Sequence, residues 1–179
     1  MKLSYGLTVK NEEVEIQRLL GFLLEKKREE DEIVVLFDSK NGTSKVLDIL
    51  KAYSLLDWYK WYSRDFDNHF ADHKNYLNSL CSGDYIFQID ADELPSEFMI
   101  EYLPTILDKN DVDLIFVPRI NIVSGLTTEH IKKWGWRVNE EGWVNFPDYQ
   151  TRIYRRTNDI TWMGKVHERI TGYNTVSNF

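Results

Sequence analysis

The sequence predicts an α/β layered domain with a mainly parallel central sheet flanked by helices. Three observations predict it. Short apolar runs alternate with segments of helical periodicity from the N-terminus to about residue 117. The run Ile33-Val34-Val35-Leu36-Phe37 is apolar without a break, as in a strand buried on both faces of a parallel sheet. At 179 residues, 42% hydrophobic and 28% charged, the chain has the size of one ordinary domain and enough apolar residues for a core.

Residues 3–9 read as the first strand. Asn11 stands before Glu12 and Glu13, a helix cap followed by an acidic first turn, and Ile16, Leu19, Leu20, Leu23 and Leu24 follow at helical spacing. The charged run 25–32 ends that helix, and 33–37 is the second strand. Asp38 closes it, a polar loop with Asn41-Gly42 follows, and Val46, Leu47, Ile49 and Leu50 mark a second helix. Residues 58–62 form a third, more exposed strand. Phe70, His73, Tyr76, Leu77 and Leu80 repeat at helical spacing, Ser82-Gly83-Asp84 breaks that helix, and 85–89 is the fourth strand. Pro95 and Ser96 open a helix carrying Ile100, Leu103, Ile106 and Leu107, and 114–117 is a further strand. Beyond Pro118 the helical period weakens while aromatics and glycines rise; 150–155 and 160–170 read as extended segments. No internal repeat, low-complexity tract or linker divides the chain.

The net charge of −7 disfavours a nucleic-acid binder, which is ordinarily basic. The one cysteine, Cys81, makes neither an internal disulfide nor a cysteine-rich zinc site, and reads as a buried small residue. The N-terminus lacks the form of a signal peptide, and no apolar run approaches the roughly 20 residues of a transmembrane helix. The expected location is cytoplasmic, with attachment to a membrane surface through a partner or substrate left open.

The chemistry concentrates where the fourth strand ends, in Phe87-Gln88-Ile89-Asp90-Ala91-Asp92-Glu93. Open α/β sheets bind ligands beyond the carboxyl ends of their strands. Residues two apart in an extended chain point the same way, so Asp90 and Asp92 can offer oxygens to one hard cation such as magnesium or manganese. Such a cation neutralises a diphosphate leaving group. An acidic pair alone is also an ordinary solvated turn, and Glu93 also suits the start of the next helix.

Further residues in order along the chain carry a family resemblance: Leu7-Thr8-Val9-Lys10-Asn11-Glu12; residues 33–39 with Asn41-Gly42-Thr43-Ser44; Lys74-Asn75; Gly83-Asp84 leading into 85–93; and Trp162-x-Gly164-x-x-His167-Glu168. Together they resemble glycosyltransferases of the GT-A fold, particularly the family 2-like group, over nearly the whole chain. The resemblance implies a single Rossmann-like GT-A domain over 1–179 with an Asp-x-Asp motif at a strand end. Residues 1–95 would be its nucleotide-sugar-binding half and 96–179 its acceptor-side half. It implies a metal-dependent transfer of a sugar from a UDP- or GDP-linked donor to an acceptor hydroxyl, with inversion; the acceptor would be a glycan, a lipid-linked molecule or a small molecule. Thr8, Lys10, Asn11, Asp38, Lys74, Asp90, Ala91 and Asp92 would bind the donor. Asp90, Asp92 and His167 would hold Mn2+ or Mg2+.

An inverting transfer needs a general base to take the acceptor proton. Family members often draw it from a short acidic motif, which is absent here; the candidates are Asp148, then Glu168, with Glu140 and Glu141 behind them. Arg152, Arg155 and Arg156 offer either a diphosphate contact or a solvated basic edge. Trp134, Trp136 and Trp143, mixed with Gly135 and Gly142, read as an acceptor-binding surface, since aromatic rings stack on the apolar faces of sugars. The competing reading is a catalytically degenerate GT-A or carbohydrate-binding module needing no cation. A nucleotidyltransferase or phosphatase is disfavoured, because the chain has neither a Gly-x-x-x-x-Gly-Lys loop nor an early Asp-x-Asp nucleophile motif.

Overall fold

The computed structural model describes residues 1–179. Strand β1 (Leu3–Val9) leads to α1 (Glu13–Lys26), β2 (Glu32–Asp38), α2 (Ser44–Ala52), β3 (Tyr59–Arg64), α3 (Phe70–Leu80) and β4 (Tyr85–Asp90). Then come α4 (Glu97–Lys109), β5 (Leu114–Arg119), α5 (Thr128–Trp134), β6 (Asp148–Arg155), β7 (Thr161–Met163), β8 (Arg169–Thr171) and β9 (Val176–Asn178). Seven strands form one sheet in the order β3-β2-β1-β4-β6-β5-β9, and β7 and β8 form a separate antiparallel hairpin. The β1–β2, β2–β3, β1–β4 and β5–β9 pairs are parallel; only β6 runs against its neighbours β4 and β5. The expected mainly parallel α/β sheet is what the chain forms.

Alternation along the central strands separates two cores. Ile33, Val35 and Phe37 of β2 join Tyr5, Leu7 and the buried faces of α1, α2 and α4 in a cluster of 25 residues. Val34 and Leu36 turn the other way, into a cluster of 11 residues with Ile86, Leu77 of α3, and Trp162 and Ile170 of the hairpin. The unbroken apolar run is thus the consequence of helices on one face and α3 with a hairpin on the other.

Three local expectations are corrected. Asn11 does not cap α1: Glu12 holds the N-cap position, and its Oε2 accepts from the backbone N–H groups of Lys10 (2.8 Å) and Asn11 (3.0 Å), drawing the loop in first. Glu93 does not start α4, which Ser96 caps by accepting from Met99 N–H at 3.1 Å. The 118–147 excursion contains α5, which has no buried residue and so carries no apolar stripe to reveal it; a capping box of Thr127 and His130 starts it and Gly135, at φ 65°, ends it.

Candidate active site

β1 has β2 on one side and β4 on the other, so the strand order reverses at β1, and the carboxyl ends of the three strands meet at one edge of the sheet. A cleft of about 320 Å³ opens there. Thr8, Val9, Lys10 and Glu12 line it from β1 and the following loop, and Asp38 from β2; Phe66, Phe70, His73 and Lys74 line it from α3 and its approach, Asp90, Ala91 and Asp92 from the end of β4, and Glu168 from the end of the hairpin turn. Of the residues expected to bind the donor, all but Asn11 border this cleft.

Asp90 is held from three sides. Thr8, its register partner across β1–β4, donates to Oδ1 at 3.2 Å and Gln88 Nε2 donates to the same oxygen at 3.3 Å. Arg152 Nη2 donates to Oδ2 at 3.1 Å and also to Glu93. The Asp90 N–H in turn donates to Glu93 Oε2 at 3.3 Å, and Glu93 N–H to the Asp90 carbonyl at 2.9 Å, which fixes the turn carrying Ala91 and Asp92. Asp92, at its apex, is exposed and makes neither a salt bridge nor a hydrogen bond within the protein.

Arg152 reaches Asp90 from an irregularity in the β5–β6 ladder. Ile115 faces Ile153 while Phe116 faces Thr151, leaving Arg152 as the extra residue of a bulge. It is 8% exposed and is buried along with Ile153 and Tyr154. Arg155 pairs with Asp111 and Asp113 and stacks on Tyr85, while Arg156 donates to the Gly83 carbonyl at 2.6 Å.

Asp38 builds its own loop. Oδ1 accepts from the backbone N–H groups of Lys40 (3.0 Å), Asn41 (3.3 Å) and Phe66 (3.2 Å), and Oδ2 from the Asn41 side chain at 2.8 Å. Burial opposes its charge, but these donors prevail and hold the carboxyl below its ordinary range. Gly42 is required here, since a Cβ would come 2.2 Å from the Phe37 ring.

The expected third metal ligand does not join the other two. Asp90, Asp92 and His167 form no cluster of three donors, because Asp90 is engaged by Arg152 and His167 sits exposed on the β7–β8 turn with φ 57°. Asp148 also lies off the cleft. Its Oδ2 accepts from Arg119 Nε (3.0 Å) and Nη2 (2.7 Å) and from Asn121 (3.0 Å), and its Oδ1 from Gln150 (2.7 Å). Burial works against its charge, but Asn121, Arg119 and Gln150 together keep the carboxyl below the usual range. Of the four carboxylates considered as base, only Glu168 borders the cleft. The three tryptophans lie on the β5–β6 excursion: Trp134 stacks on His130 (4.9 Å) and meets Trp136 at a tilt (4.8 Å), and Trp143 packs edge-on against Phe146 (4.8 Å).

His73 and Phe66 border the cleft without having been singled out for it; the helical repeat assigned His73 to the core. Its ring meets Phe66 edge-on at 5.3 Å, and its buried Nδ1 has no partner. Burial first, then the charge of Arg64, pushes this imidazole below its ordinary pKa. The signal was the spacing of Phe66, Phe70 and His73 just ahead of Lys74, which places aromatic groups beside the strand-end residues.

Comparison with known proteins agrees with this architecture. No curated protein matches the chain significantly in sequence. The crystal structure of S. aureus TarS 1-349 superposes with a TM-score of 0.71 at 19% identity, covering 100% of this chain and 58% of that one. TarS 1-349 in complex with UDP-GlcNAc gives 0.69 at 18% identity, over 100% and 56%. The mannosyltransferase PcManGT from Pyrobaculum calidifontis, in complex with GDP-Man and Mn2+, gives 0.56 at 13% identity, over 87% and 44%. The chain thus spans about three-fifths or less of the length of these neighbours, and the likeness is one of fold. The model of glycosyl transferase family 2 matches residues 4–177, nearly the whole chain, and the protein belongs to that family.

Proposed function

We propose that the chain transfers a sugar from a nucleotide-diphosphate donor to an acceptor hydroxyl, with the donor in the cleft beyond β1, β2 and β4. The observation that carries this reading is the convergence of Thr8, Asp38, Asp90 and Asp92 on one cleft at the point where the strand order reverses. Residues 1–95 supply most of that cleft, in keeping with a donor-binding half, and 96–179 contribute Glu168 and the tryptophan-bearing excursion on the acceptor side. Family 2 membership supports glycosyl transfer, and the UDP-GlcNAc and GDP-Man complexes of the structural neighbours support a nucleotide-sugar donor with either base.

The donor set suits a divalent cation. Asp90 and Asp92 are hard oxygen donors on one side of the cleft, and the Asp92 carboxylate has no protein partner. Asp92, together with Asp90, would hold Mn2+ or Mg2+. A bound cation supplies positive charge against the diphosphate as it leaves.

The remaining steps fall to the chain itself. Asp90, fixed by Thr8, Gln88 and Arg152, keeps the Asp-Ala-Asp turn in place while the donor binds. Phe66 and His73 form an aromatic wall beside Asp38. Glu168 takes the proton from the acceptor hydroxyl as that oxygen attacks the anomeric carbon, and a single displacement of this kind inverts the configuration. Asp148, saturated by four hydrogen bonds, serves to order β5 against β6.

Thermal unfolding with UDP or GDP, each with and without Mn2+, tests this function. A ligand at about 100 times its Kd adds about 2.7 kcal/mol of stability. Stabilisation that requires the metal is expected; no response to either nucleotide would sink the proposal.

A further inference from the structure

We propose that Lys74 is a positioning residue that holds Glu168 and the β7–β8 hairpin against α3, and that it does not serve as a contact to the diphosphate. Lys74 borders the cleft, yet it is 6% exposed. Its ammonium lies 2.7 Å from Glu168 Oε1 and 4.5 Å from the centre of the Trp162 ring. Both neighbours belong to the hairpin segment and neither to the sheet.

Other residues of α3 grip the same segment. Asn75 accepts from the Trp162 N–H at 2.8 Å and donates to the Trp162 carbonyl at 2.8 Å, so its amide replaces a neighbouring strand. Phe70 N–H donates to the Lys165 carbonyl at 3.1 Å, and Asn78 Oδ1 accepts from Tyr154, whose oxygen accepts from the Trp162 indole. Lys74 and Asn78 are four residues apart, so one helix face carries both side-chain contacts with Asn75 beside it, and Phe70 adds a free N–H of the first helical turn.

The segment needs this external hold. The hairpin has only three register pairs, and two residues of its turn, Gly164 at φ 106° and His167 at φ 57°, lie in the left-handed region. A non-glycine residue there stores backbone strain unless its surroundings fix it. A three-pair hairpin alone is marginal in water. The Lys74–Glu168 pair closes the turn at the point where Glu168 meets the cleft.

The inference rests on the donor-site reading only for its nucleotide arm. Hydrogen exchange of the 161–171 amides is compared in the intact chain and in Lys74→Met, Lys74→Arg and Glu168→Gln. In Lys74→Met and Glu168→Gln the hairpin amides should exchange at least about tenfold faster while β1, β2 and β4 keep their protection. Lys74→Arg should restore hairpin protection, which loss of packing volume alone does not explain. UDP with Mn2+ should stabilise Lys74→Met as much as the parent protein. Unchanged hairpin exchange in both Lys74→Met and Glu168→Gln would overturn the proposal, as would loss of UDP stabilisation with the hairpin still protected. If UDP binds neither protein, the donor-site reading fails and the exchange measurement still decides the role of Lys74.

Discussion

Arg152 Nη2 lies 3.1 Å from Asp90 Oδ2 and donates to Glu93 with the same nitrogen, so one buried guanidinium compensates two carboxylates at the end of β4. Its own side chain is 9% exposed, against 35% for Asp90 and 21% for Glu93. Removing one partner of such a group leaves charge without compensation, which costs more than the pair contributes when intact. Arg152→Met should therefore lose about 2 to 4 kcal/mol of stability in urea unfolding, and Arg152→Lys should recover part of it. A loss below about 0.5 kcal/mol in Arg152→Met would mean that the turn does not depend on this contact.

Asp92 provides the contrast. It is exposed and has no partner within the protein, so Asp92→Ala should change the unfolding free energy by no more than about 0.5 kcal/mol. Any Mn2+-dependent stabilisation by UDP or GDP should vanish in the same variant. Asp90→Ala should lose both, since it also removes one of the two carboxylates paired with Arg152. Calorimetric unfolding of the two variants with and without Mn2+ separates them; retention of metal-dependent nucleotide binding in Asp92→Ala would remove this residue from the site.

The first half of the fold was legible because its signals are local. The Ile33 to Phe37 run, the helical repeats of α1 and α3, and the break at Ser82-Gly83-Asp84 each report on neighbouring residues. The position of β6 between β4 and β5 was not legible, because strand order is set by the long-range register of Phe87 with Ile153, and no periodicity encodes it. The bulge from which Arg152 reaches Asp90 depends on that same pairing. The site follows the same division. Thr8, Asp38, Asp90 and Asp92 were visible as strand ends, whereas the role of Lys74 depends on a hairpin almost ninety residues away in sequence, as the Asn75–Trp162 separation of 87 residues shows.

Glu168 and Asp148, the first two candidates for the base, predict opposite phenotypes. Glu168→Gln should reduce transfer by about 10²- to 10⁴-fold, the range of a lost general base, while nucleotide stabilisation persists. Asp148→Asn should keep the rate within about tenfold of the parent and instead cost about 1 to 2 kcal/mol, because Arg119 loses the nearer of its two charged partners. Donor turnover by the purified variants, read with UDP-GlcNAc and GDP-Man, decides between them. Full activity in Glu168→Gln with loss in Asp148→Asn would reverse the assignment.

Glu32 makes the stability of the chain sensitive to acid at the sheet edge opposite the cleft. It is 2% exposed and opposes Ser4 in the β1–β2 register. Burial disfavours its charge, but Ser4 Oγ at 2.6 Å, the Ser82 N–H at 2.5 Å, Lys2 Nζ at 3.0 Å and Ser82 Oγ at 2.9 Å outweigh it, and the carboxyl falls to about 2 from an ordinary 4.5. A carboxyl depressed by folding stabilises the native state fully above its unfolded value and loses that contribution as pH falls through its folded one. The Glu32 contribution should thus be present in full above about pH 4.5 and disappear between there and about pH 2. Allowing for partial solvent screening, it amounts to on the order of 2 kcal/mol. Glu32→Gln should lower stability at pH 7 by about that amount and flatten the acid limb of the unfolding curve over the same window. A parallel acid limb in the variant would assign the acid sensitivity to other carboxylates.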